Sequence, residues 1–220
     1  MKSSDLIRLY PNLFHMAADG SWPSIERHGL LSTASVLDRW DVSPATSRRL
    51  LTERRDQSEV LEHPEHGTAV VRDQKPLDVK TLSNILVDMT VSEWCGVLNE
   101  RVFFFLQPEG LHGLLNAQSY KASAHTVITL DTASLVAAHE DNIQLCRMNS
   151  GNAQPHSRGN RGRGTFKSIA DYAHPSREAA KWSAKPDVRE LSVLGGVPDI
   201  RDHVVRVDRM RQSDVLERIA

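Results

Sequence analysis

The hexapeptide Arg101 to Leu106, RVFFFL, constrains the fold of this chain more than any other stretch. It sets aromatic and β-branched residues side by side without a break, the strongest β signal in the sequence. Side chains alternate along a strand, so a run that is apolar on both faces must be covered on both. The segment therefore predicts a central strand, although a short buried helix of the same composition also fits the pattern. Further strands are expected at Asn12–Met16 (NLFHM), Thr68–Val71, Thr126–Leu130 (TVITL), Ile143–Met148 and near His203–Val207.

Helices are expected between these strands. Asp5–Tyr10 forms a short one stopped by Pro11, and Ser21 with Pro23 opens another that ends at Gly29. Residues 32 to 98 read as mostly helical. Ser43-Pro44 opens one helix, and Asp78–Val87 and Thr90–Leu98 carry apolar stripes at helical spacing; Arg54–Gly67 reads as loop. Pro108 begins a helix through Leu115, and Asp131 caps one that ends near His139. Phe166–Tyr172, Pro175–Trp182 and a terminal segment from Ser213 also read as helical. Strands and helices mix without a βαβ alternation, which predicts an α+β fold with a largely antiparallel or mixed sheet. At 220 residues the chain suits a single domain, 1–220, with a helical insertion at about 35–98.

Val188 to Ile200, VRELSVLGGVPDI, reads as a strand, a Gly-Gly turn and a Val-Pro return. Alternation points Leu191 and Val193 to one face and Glu190 and Ser192 to the other. Two readings of Glu190 stay open: a carboxylate in solvent on a half-buried strand, or one that lines a cleft and does chemistry. The stretch Ser150–Gly164 differs in texture, with four glycines, three arginines and almost no apolar residues. It predicts a surface loop whose Arg158, Arg161 and Arg163 either fork onto phosphates or sit in a solvated linker.

Several classes are disfavoured. A net charge of −1 argues against binding nucleic acid with the whole chain, while permitting a local basic patch. The two cysteines form neither a disulfide framework nor a CxxC pair, and a reducing, cytoplasmic compartment is expected. No stretch approaches the apolar length of a membrane span. HExxH, GxSxG and GxGxxG are absent, and no metal is expected from the spacing of the histidines.

Three segments together resemble the ADP-ribosyltransferase fold, in the branch that holds DNA-modifying ADP-ribosyltransferase toxins and RNA 2′-phosphotransferases. LFHMAADGSWPSIERHGLLS is similar to the family's opening strand, which ends in a histidine and leads to a short helix. RVFFFLQPEGLHGLL looks like its aromatic strand and following helix, and VRELSVLGGVPDI resembles its catalytic strand. The chain departs from the toxins at Ala17, where they usually carry threonine. Their catalytic arginine has only Arg101 as a loose counterpart.

The resemblance implies NAD as a substrate, with no metal. It implies transfer of ADP-ribose to a macromolecular acceptor, a nucleic acid or a protein, and an antitoxin as a partner. Alternatives within the resemblance are an NAD glycohydrolase and a module that binds NAD or another nucleotide without turnover. It assigns Glu190 as the catalytic carboxylate and His15 as both catalytic and NAD-binding, with Met16 beside it. Gly29 and Leu31 form a backbone lip over nicotinamide. Phe104 and Phe105 wall the pocket, Tyr120 stacks, and Arg101 is the arginine. Arg158, Arg161 and Arg163 are the expected acceptor contacts. The chemistry is coherent: a carboxylate beside the ribose 2′-hydroxyl stabilises an oxocarbenium-like state, and a neutral histidine fixes the sugar's pose.

Overall fold

In the computed structural model, which describes residues 1–155, 159–173 and 188–220, one sheet runs from near the N-terminus to the C-terminus. The chain begins with α1 (Ser3–Leu9), β1 (Asn12–Ala18), α2 (Trp22–His28) and the two-residue β2 (Leu30–Leu31). Next come α3 (Thr33–Arg39), α4 (Pro44–Thr52), the hairpin β3 (Glu59–His63) and β4 (Gly67–Val71), α5 (Val79–Ile85) and α6 (Val91–Asn99). β5 (Arg101–Phe105), α7 (Pro108–Leu115), β6 (His125–Asp131), α8 (Thr132–His139), β7 (Ile143–Cys146) and β8 (Lys167–Ser168) follow. The described chain closes with β9 (Glu190–Leu194), β10 (Gly196–Val197), β11 (Val204–Arg211) and β12 (Asp214–Arg218).

Eight strands form a sheet in the order β12-β11-β6-β1-β5-β9-β7-β8, with each neighbouring pair antiparallel. The fold is α+β. β5 lies inside this sheet, as its two-faced apolarity requires. On one face Leu13, Val102, Phe104, Ile128 and Leu191 join Leu6 of α1 and Leu135 of α8 in the main core. The other face carries two smaller clusters. Phe14, Met16 and Phe105 pack with Leu111 and Leu115 of α7, and Phe103 and Cys146 pack with Leu82 of α5 and Trp94 of α6. Full burial of a Phe or Leu side chain stabilises by about 1.5–3 kcal/mol, so the fold rests on these three clusters more than on any local preference.

The ends of the helices follow local chemistry. Thr90 and Glu93 form a reciprocal capping box on α6, at 3.2 and 2.7 Å, and Asp131 accepts from Ser134 N at 2.7 Å to start α8. Ser21 precedes α2, but its hydroxyl donates back to Ala18 O and caps nothing.

Four expectations need correction. The segment 59–63 is a strand rather than loop: its EVLEH alternation pairs with β4 residue by residue, and Gly67 accepts φ +71° at the turn. The insertion therefore contains a hairpin among its helices. The terminal segment from Ser213 is β12 rather than helix, because Gln212 turns the chain at φ +52° and DVLER finds β11 as an antiparallel partner. Phe166–Tyr172 is not helical; Lys167 and Ser168 add a short edge to β7, and Tyr172 N closes a turn onto Ile169 O. The stretch 150–164 is tied down within its described part. Leu77 bridges Ala153, and Leu86 bridges Arg161, each in parallel. The helix expected at Pro175–Trp182 lies outside the described residues.

Candidate functional site: a split in the sheet

β1 pairs with β6 over all seven of its residues, but it meets β5 only at Phe14 and Phe105. Beyond that pair the two strands part. His15 spans the gap, with Nδ1 lying 2.9 Å from the Phe103 carbonyl. A carbonyl oxygen only accepts, so Nδ1 carries the proton and Nε2 of the neutral ring is left as an acceptor. Burial holds the His15 pKa down at about 4, against the opposing pull of the Phe103 carbonyl, and the ring is neutral at physiological pH.

A cavity of about 950 Å³ opens at this split. That volume lies at the upper end of the range for ligand sites, roughly 300–1,000 Å³. His15, Met16, Gly29, Leu31, Arg101, Phe105, Tyr120 and Glu190 all line it, so eight of the sites expected from the sequence meet in one place. Strand alternation sets His15 on the side of its partner Ile128, and Glu190 on the side of its partner Phe105. Both reach the cavity because the sheet is open between β1 and β5.

Glu190 is the first residue of β9. It stands in one cross-strand row with Phe14, Phe105 and Cys146. The residue is only 6% exposed, which removes the solvent-facing reading. Ser150 donates twice to Oε2, from the backbone N–H at 3.0 Å and from the hydroxyl at 2.6 Å. Burial raises the Glu190 pKa to about 7, and the two Ser150 bonds and the Arg161 charge counter only part of that rise. Oε1 takes no hydrogen bond among the described residues, so the carboxylate is held by one oxygen and offers the other.

The lip comes from close backbone packing. β2 pairs with β10, Leu31 opposite Gly196 and Leu30 opposite Val197, immediately after the catalytic-strand candidate β9. A Cβ on Gly29, at φ +90°, would lie 2.5 Å from Pro198 Cα, and one on Gly196 would lie 2.4 Å from Leu30 O. Only glycine fits either position, which explains why the segments HGLLS and LGGVP come together here.

Other placements differ from expectation. Phe104 is 1% exposed on the opposite face, in the main core; the residue that walls the cavity beside Phe105 is Phe103. Alternation along β5 makes that exchange, since 103 and 105 share a face. Arg101 lines the cavity but its guanidinium is engaged, donating to Gln144 Oε1 at 2.8 and 3.2 Å and lying 4.7 Å above the Phe166 ring. The Tyr120 hydroxyl donates to Asp73 at 2.6 Å, with the Arg72 guanidinium 5.0 Å over its ring.

Arg161 is 2% exposed and donates to the carbonyls of Asn149, Asn152 and Gly159. It is a buried strut that holds the Ser150 segment in place, not an acceptor contact. Arg163 is exposed and paired with Glu93 at 3.2 Å, and Arg158 lies outside the described residues.

Sequence reasoning missed Ser150, Arg72 and Lys75. Arg72 donates to Met16 O at 2.9 Å, at the end of β1 where the strand leaves β5. Arg72 and Lys75 both line the cavity, with Lys75 Nζ lying 3.8 Å from Asp73 Oδ2. No motif marks these residues. Only the register of the β3–β4 hairpin carries them to the split.

Residues 11–204 match the model of a family of unknown function (DUF7002), and the chain belongs to that family. No curated protein matches it. No helix among the described residues is long and apolar enough to cross a membrane.

Proposed function

Because that family carries no assigned activity, we propose from the site and from the resemblance of its segments that the chain cleaves the nicotinamide–ribose bond of NAD and transfers ADP-ribose to an acceptor. One observation carries the reading. A buried glutamate with one free carboxylate oxygen and a neutral histidine with a free Nε2 line the same cavity, beside the aromatic wall of Phe103 and Phe105. The resemblance of the three sequence segments to the ADP-ribosyltransferase fold points the same way. In this reading His15 Nε2 accepts from a ribose hydroxyl, and Phe105 or Phe103 stacks against nicotinamide. Arg72 and Lys75 face the pyrophosphate.

The reaction follows from these placements. The C–N bond to nicotinamide breaks, its electron pair stays on the ring nitrogen, and neutral nicotinamide leaves. Positive charge grows on the ribose, and the Glu190 carboxylate, bonded to the 2′-hydroxyl, stabilises it. An acceptor nucleophile then takes the anomeric carbon and loses its proton.

Hydrolysis, with water as the acceptor, is a second reading. It is favoured by the burial of Arg161, one of the expected acceptor contacts. Incubation with NAD tests both. Nicotinamide release is expected from the wild type, with a drop of about 10²-fold or more in Glu190→Gln, the scale of removing one electrostatic stabiliser. Free ADP-ribose marks hydrolysis, and a mass gain on added nucleic acid or protein marks transfer. Absence of nicotinamide release under both conditions, or equal release from the variant, refutes the proposal.

A further inference from the structure

Away from the cavity, three side chains converge beside α8. His139 closes that helix, Asp199 follows the Val197-Pro198 return, and His203 lies four residues on, across a 3-10 turn at Ile200–Asp202. The nearest ligand-capable atoms of the three lie within 4.8 Å of one another. His139 Nε2 is 2.6 Å from Asp199 Oδ1, and His203 Nε2 is 3.3 Å from Oδ2. No other group of three such side chains exists among the described residues.

We propose that His139, Asp199 and His203 bind a zinc ion. Two imidazole nitrogens and one carboxylate oxygen form a donor set that suits zinc, with the fourth position open to water. The least satisfied atom in the cluster is His203 Nε2. It is buried and has no hydrogen-bond partner, although it points at a carboxylate. A buried polar nitrogen left in that state costs free energy, and a cation between the three groups removes the cost. The other ring nitrogen, Nδ1, lies 3.1 Å from the Ser134 hydroxyl. That contact fixes the orientation of the ring, as outer contacts do for metal-bound histidines.

Tetrahedral zinc with bonds of about 2.0–2.2 Å needs neighbouring donors about 3.3–3.6 Å apart. The His139–Asp199 contact at 2.6 Å must therefore open by several tenths of an ångström, while the donor atoms of the two histidines lie within 4.8 Å of each other. The Asp199 side chain is 38% exposed and can make that adjustment. The ion would pin the turn that follows Pro198 to the end of α8. Pro198 is the residue packed on Gly29, so the pinned turn backs the cavity lip. His139 and His203 are 64 positions apart in sequence, which is why no ligand spacing betrays the site.

The test is zinc binding to the full chain stripped with a chelator, read by competition with a chromophoric chelator and by thermal unfolding. One zinc per chain is expected. At a hundredfold excess over Kd, Tm should rise by at least about 5 °C. Cobalt should give the intense visible bands of four-coordinate geometry. His139→Gln and His203→Gln should each weaken zinc binding by at least 100-fold. His203 is buried, so His139→Cys serves as the variant that keeps the donor set; it should bind zinc and add a sulfur-to-cobalt charge-transfer band. A His63→Gln/His66→Gln double variant should bind as the wild type does. Failure of the wild type to take up zinc overturns the proposal, as does binding that survives in both His139→Gln and His203→Gln. None of these readouts depends on NAD turnover.

Discussion

Glu190→Gln should make the protein more stable at alkaline pH while disabling the site. Burial raises the Glu190 pKa from an ordinary 4.5 to about 7, so the folded chain binds that proton more tightly than the unfolded chain does. Between pH 4.5 and 7 stability then falls as pH rises, and the full penalty stands above pH 7. A shift of about 2.5 units at 1.36 kcal/mol each amounts to about 3 kcal/mol. Glutamine is uncharged, and its carbonyl oxygen still accepts from the Ser150 hydroxyl and N–H, so the variant loses the penalty and keeps the bonds. Urea unfolding at pH 5 and pH 8 measures the effect by linear extrapolation. The gain should approach about 3 kcal/mol at pH 8 and shrink to well under half of that at pH 5.

His15 provides an internal control, because its shift has the opposite sense. Its folded pKa of about 4 lies below the ordinary 6.5, so stability is lost as pH falls from 6.5 to 4, also by about 3 kcal/mol. In the wild type the two penalties exchange across this window and nearly cancel. The Gln variant exposes the His15 slope alone, with stability declining toward acid pH. A variant less stable than wild type at pH 8, or a difference independent of pH, would refute the assignment of a buried, proton-binding Glu190.

If nicotinamide release needs the Glu190 carboxylate ionised, kcat/KM should climb with an apparent pKa near 7 and level off above it, whereas a flat profile from pH 5 to 9 would remove that role. Arg161→Ala should cost about 3 kcal/mol or more by stranding three carbonyls that it now serves, and Arg163→Ala should change stability by less than about 1 kcal/mol, both measured by urea unfolding. Equal effects of the two would deny the buried strut. Gly29→Ala must push Pro198 backbone away and should lower stability and NAD affinity together; wild-type values for both would show that the lip is not tightly packed.

The legible parts of the fold were those where one segment carries its own pattern. RVFFFL declared an interior strand, the apolar spacing of Val91, Trp94 and Leu98 declared a helix, and Gly29 marked a stop. Segments whose structure depends on a distant partner were misread. DVLER is exposed and EVLEH only partly buried, and they become strands only because β11 and β4 lie beside them. The exchange of Phe103 for Phe104 was within reach, because alternation from Glu190 through its partner Phe105 selects the odd-numbered residues of β5. Arg161 was beyond reach. A run of Arg and Gly reads as solvated, and nothing local says that the carbonyls of Asn149 and Asn152 will turn toward one guanidinium.

Burial of Arg161 also changes what the glycine-rich segment is for. Ser150 is fully buried, and it supplies both hydrogen bonds that Glu190 accepts. Arg161 grips the carbonyl of Asn149, the residue before Ser150, and its own backbone is bridged to Leu86. The chain of contacts thus runs from the end of α5 through Arg161 and the 149–152 turn to the carboxylate. A loop expected to reach outward for an acceptor instead works inward, holding one oxygen of Glu190 and leaving the other for the cavity. Such support is what a buried carboxylate with a pKa near 7 requires, since an ionised group cut off from water needs fixed donors in its place. On this view Arg161 serves the carboxylate and not an acceptor, since its guanidinium is buried on the carbonyls of Asn149 and Asn152.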